Sequence, residues 1–67
     1  MEDLVGITAG EIWKYLSEKG SSTTMDIKAN LAISNTLLHL ALGWLIRENK
    51  IELSESGHTY TVALKNK

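Results

Sequence analysis

The sequence predicts a mainly helical α+β domain, three helices followed by a two-stranded antiparallel hairpin. Three observations predict it. Apolar residues recur with helical spacing as far as about residue 48. From Lys50 onward the period drops to two. Between these regimes lies Ser34–Lys50, S-N-T-L-L-H-L-A-L-G-W-L-I-R-E-N-K. Wound at about 100° per residue, its apolar side chains cover roughly two-thirds of the circumference. Thr36, His39, Gly43 and Arg47 line up as the polar remainder. A helix so apolar must be covered by the rest of the chain or by a second copy.

In the first helix, Ala9, Ile12, Trp13 and Leu16 repeat at i, i+3, i+4 and i+7. Two starts are open. Thr8 and Glu11 have capping-box spacing, which begins the helix near Ala9. Val5, four residues before Ala9, allows a start near Asp3, which Gly6 weakens. Lys19-Gly20 reads as a basic last turn and a terminating glycine. Ser21–Thr24 is a connector with room for a short third strand near 21–24. Thr23 and Asp26 repeat the capping spacing and open a second helix over 24–31, with Ile27 and Leu31 inward. Ser34 caps the third helix, over 35–48, and Asn49 suits the left-handed position after it. Strands follow near 50–54 and 59–64, with Glu55-Ser56-Gly57-His58 between them and Gly57 supplying the turn's positive φ. The predicted core is Ile12, Leu16, Ile27, Leu31, Leu38, Ala41, Leu42, Leu45, Ile51, Leu53 and Val62.

Sixty-seven residues make one domain, 1–67, fraying at 1–3 and 65–67. No cysteine is present, so neither disulfides nor a thiolate zinc site can staple it. His39 and His58 are too few for a metal centre. No Gly-rich phosphate loop, carboxylate dyad or nucleophile–base pair is visible, so no enzyme, cofactor or small-molecule ligand is predicted. The acidic start Met1-Glu2-Asp3 is unlike a secretion signal, and Leu37–Ile46 is too short to span a bilayer. A cytoplasmic protein with no membrane contact is expected.

Helix, short helix, long helix, hairpin is the order of a winged helix-turn-helix. Ala9-Gly10-Glu11-Ile12-Trp13 and Gly43-Trp44-Leu45-Ile46-Arg47-Glu48-Asn49-Lys50-Ile51 also resemble a family of very small prokaryotic winged helix-turn-helix proteins. Its pattern runs approximately A-G-x-I/V-W, then G-W-L-x-R-E-x-K-I, and the likeness extends from about Thr8 to Val62. Members more often carry a small residue where this chain has Ile46. The resemblance implies DNA binding through the fold and supplies no contact residues.

Two functional readings compete. If the third helix enters the major groove of double-stranded DNA, the contact candidates are Lys28, Ser34, Asn35, Thr36, His39, Arg47 and Lys50. Asn35 suits adenine, and Ser34 and Thr36 suit phosphate at the helix N-terminus. The charge counts against strong binding: seven Lys+Arg face eight Asp+Glu, and the hairpin tip holds Glu55 and His58 with no cation. The alternative is a protein-interaction module, most simply a homodimer. Leu38, Ala41, Leu42 and Leu45 already make a core stripe. Trp13, Leu37, Leu40 and Trp44 then form a second apolar surface, the candidate interface. Dimerisation would also supply a second DNA half-site.

Overall fold

The computed structural model describes residues 4–65, and the expected fraying at 1–3 and 66–67 lies outside them. Three helices, α1 (Leu4–Lys19), α2 (Thr24–Leu31) and α3 (Asn35–Arg47), precede the hairpin β2 (Ile51–Ser56) and β3 (Thr59–Leu64). A two-residue strand β1 (Ser22–Thr23) joins the sheet in the order β1-β3-β2, antiparallel throughout. The axes of α2 and α3 turn by 117°, in the helix-turn-helix range.

Local chemistry places the helix ends. Thr23 Oγ1 accepts the Asp26 N–H at 3.1 Å, so one residue both caps α2 and pairs with Thr61 in the sheet. Ser34 Oγ accepts the Leu37 N–H at 3.1 Å and starts α3. At the far end the Asn49 N–H donates to the Ile46 carbonyl and the Lys50 N–H to the Leu45 carbonyl, both at 2.9 Å. With Asn49 at φ 63°, that pair of bonds is a Schellman ending. Gly20 at φ 81° closes α1.

The core is Ala9, Ile12, Leu16, Ile27, Leu38, Ala41, Leu42, Leu45, Ile51 and Val62. α1 lies against α3, and β3 lies beneath α1 and α2.

Several expectations need correction. The longer start of α1 is the observed one, and Thr8 is buried in mid-helix instead of capping it. It shares the inward face with Ile12, one turn on, and burial of Ala9 beside it outweighs the cost of Gly6. Leu31 is half-buried, and Leu53 is 41% exposed while its cross-strand partner Val62 is 0%. Val62 has strands on both sides, whereas Leu53 is on an edge strand and two residues farther along the hairpin from α3 than Ile51, which is buried on the same strand. Strand β2 runs to Ser56, so the turn is the two residues Gly57-His58, with Gly57 at φ 64°. Lys65 is held: its N–H donates to the Lys50 carbonyl and its Nζ to Asn49 Oδ1 at 2.7 Å.

Ala32 ends α2 at φ 54°, ψ 48°, with its N–H donating to the Lys28 carbonyl. A Cβ in that left-handed conformation costs roughly 1–2 kcal/mol. Ala32→Gly should therefore raise stability by about 1 kcal/mol, read as a higher urea midpoint at unchanged m-value. Leu38→Ala, at a fully packed core position, should lower stability by ~2–5 kcal/mol in the same titration.

Candidate functional site

α3 presents two different surfaces to solvent. Away from its buried stripe, Thr36, His39, Gly43 and Arg47 are all exposed along one strip. Asn35, at the first turn, is exposed nearer the core side, and the exposed Ile46 lies between Asn35 and His39 in helical phase. The helix-turn-helix geometry turns this strip outward, because Leu38, Ala41, Leu42 and Leu45 are consumed by the core. His39 Nδ1–H donates to the Asn35 carbonyl at 2.7 Å. A carbonyl oxygen only accepts, so that bond fixes the proton on Nδ1 and leaves Nε2 as an outward acceptor in the neutral ring. Ser34 spends its oxygen lone pair on the Leu37 N–H and keeps its own O–H as a donor. Apart from its chain neighbours and the helix's own backbone, no atom lies within 4 Å of where a Cβ at Gly43 would sit, so the middle of the strip is open.

The three predicted cations sit on different elements: one on α2, one in the last turn of α3 and one in the turn after it. Arg47 is on the strip. Lys28 is half-buried on α2, its carbonyl taken up by the turn after that helix. Lys50 lies elsewhere, on the rim of a groove between α1 and α3. The wing adds exposed Glu52 and Glu55 and, between Ile51 and Leu64, no Lys or Arg.

That groove belongs to the second surface. It encloses about 240 Å³ above the buried Ala9 and Leu45, with Gly10 and Trp13 on the α1 side and Trp44 on the α3 side. Trp13 and Trp44 stay 45% and 44% exposed, and Leu40, one turn from Trp44, is 54% exposed. Leu37 on the same flank is half-buried. Trp13, Trp44 and Leu40 were expected at an interface and Lys50 at DNA, whereas Gly10 was expected at neither. Gly10 stands three residues before Trp13, so the i, i+3 spacing alone could have found it; Lys50 is placed by the turn after α3.

A larger depression of about 410 Å³, between α1 and α2, is bordered by Glu11, Lys14, Tyr15, Glu18, Asn30 and Leu31. Glu11 and Glu18 are two helical turns apart, ~10.5 Å along the axis. Among the described residues no group of three or more His, Asp or Glu is placed to hold a metal ion. No single described helix is long and apolar enough to cross a membrane.

The sequence profile of the winged helix-turn-helix domain family DUF2582 matches residues 1–64. The chain belongs to that family. It is also similar to the uncharacterized protein MJ1608 of Methanocaldococcus jannaschii, 33% identical over 70 residues, 97% of this chain and 100% of the relative. For this DUF2582 protein the match spans the three helices and the wing together, so helix-turn-helix and hairpin form one inherited unit.

Gly43→Ala tests whether the strip is unobstructed. The methyl enters open space and gains the helix propensity that glycine lacks, so stability should rise by about 1 kcal/mol. A fall in thermal midpoint would show the strip to be covered.

Proposed function

We propose that this is a non-enzymatic cytoplasmic protein that binds double-stranded DNA with modest affinity, α3 lying in the major groove. The observation that carries the reading is the exposed strip Thr36, His39, Gly43 and Arg47, with exposed Asn35 at the first turn, on the second helix of the helix-turn-helix and with no acidic side chain among them. Asn35 offers an amide suited to the N6/N7 edge of adenine. His39, with Nδ1 tied to the Asn35 carbonyl, offers Nε2 to a donor such as an adenine or cytosine amino group. Ser34 and Thr36 stand at the α3 N-terminus, where unpaired N–H groups favour a phosphate. Arg47 supplies the strip's full positive charge.

Affinity is limited by the same inventory. Each neutralised phosphate contributes a slope of about −0.9 to log K against log salt. One arginine, with Lys28 half-buried and Lys50 off the strip, supports a slope of only about −1 to −2. The acidic wing subtracts from non-specific attraction, so such binding as there is must come from fit in the groove. The exposed Trp13, Leu40 and Trp44 favour a second reading, a protein-interaction module, whose partner is taken up below.

Fluorescence anisotropy with a random duplex at low salt tests the DNA reading. Binding should appear at micromolar protein with that shallow salt slope. Arg47→Glu should weaken it about tenfold or more, since a contact becomes a repulsion. No rise at tens of micromolar protein overturns the reading.

A further inference from the structure

We infer that the flank of α3 bearing Leu40 and Trp44, together with the α1–α3 groove, is where a second copy of this chain docks. The inference stands independently of the DNA reading.

Area sets the scale. The exposed portions of Trp13, Trp44 and Leu40 amount to on the order of 300 Å² of apolar surface. An interface is roughly 60% apolar, so with a polar rim of that proportion around it the patch would bury about 500 Å² per copy, or ~1,000 Å² in total. This is the threshold at which specific association begins, and it predicts a weak, reversible pair.

Shape identifies the occupant. A two-fold dimer buries the same patch on both copies, so the patch must complement itself. This one carries a projection and a recess side by side. Leu40 stands out from α3, and one turn along is the groove walled by Trp44 and Trp13. Gly10 keeps the α1 wall low, with no atom within 4 Å of the place a Cβ would take. Each copy can thus insert Leu40 into the other's groove.

Charge agrees. Glu48 and Lys50, both exposed, follow closely after Trp44 and give the rim both signs. A rim of one sign would repel its own image across a two-fold axis, whereas this one can pair with it.

The location also constrains the DNA geometry. Two α3 helices joined along their flanks lie ~10 Å apart. Half-sites read by a helix-turn-helix dimer are about 34 Å apart. A dimer built on this face therefore cannot offer both α3 strips to successive major grooves. The second half-site expected of a dimer does not arise here, and self-association competes with duplex binding.

Sedimentation equilibrium of the whole chain, without DNA, tests the inference. The mass should approach twice the 7.4 kDa of one chain at millimolar concentration and fall toward 7.4 kDa on dilution to micromolar. Both tryptophans of the chain line the groove, so their emission should shift to the blue as the dimer forms. Leu40→Glu should hold the single-chain mass at every concentration with its helical circular dichroism intact. Gly10→Met, which fills the recess from an exposed helical site, should do the same and decides the matter if Leu40→Glu does not fold. A single-chain mass for the parent at millimolar concentration overturns the inference. So does either folded variant remaining dimeric.

Discussion

Leu38, Ala41, Leu42 and Leu45 form the stripe on which the rest of the molecule closes: α1 along one side of it, α2 across its start, the sheet beneath. In a chain of 67 residues without a disulfide, burial of this kind is the main cohesive term. It also fixes α3 in rotation about its own axis. Once those four side chains face inward, Thr36, His39 and Arg47 have to face out, because helical spacing leaves them nowhere else. Core and candidate site are thus two readings of one helical phase. A change that rotated α3 by a single residue would spoil both.

The outward half of α3 is divided between two chemistries. Thr36 and Arg47 on the strip adjoin Leu40 on the apolar flank, only about 20–40° around the helix. In a larger protein a second helix would cover that flank. Here α1 covers only part of it, and Gly10 leaves the cover thin. Smallness therefore has a functional side: the domain lacks the layers to separate what it buries from what it presents.

What was legible in the sequence follows from how local its cause is. Ser34, Thr23 and Asn49 act through backbone groups two or three residues away, so their roles can be read from spacing alone. The strip on α3 is legible for the same reason, being a matter of helical phase. Leu53 was misjudged because alternation gives the face a residue points to and not how far along the strand that face stays covered; Ile51, two residues earlier on the same edge strand, is buried. Ala32 gave no warning, since alanine is a poor choice for a left-handed position and the turn is imposed by the packing of α2 on its neighbours. Lys50 follows the left-handed Asn49 and lines the α1–α3 groove, a placement that α3's own spacing could not give.

The junction between α3 and β2 has only Glu48, Asn49 and Lys50 in it, and their N–H groups are all engaged with the last turn of the helix. Asn49 additionally receives Lys65 from the far end of β3, so both legs of the hairpin are anchored beside the same helix terminus. The wing consequently leaves α3 on a set bearing, with no slack to swing aside. Whatever meets α3 meets the hairpin at that same bearing.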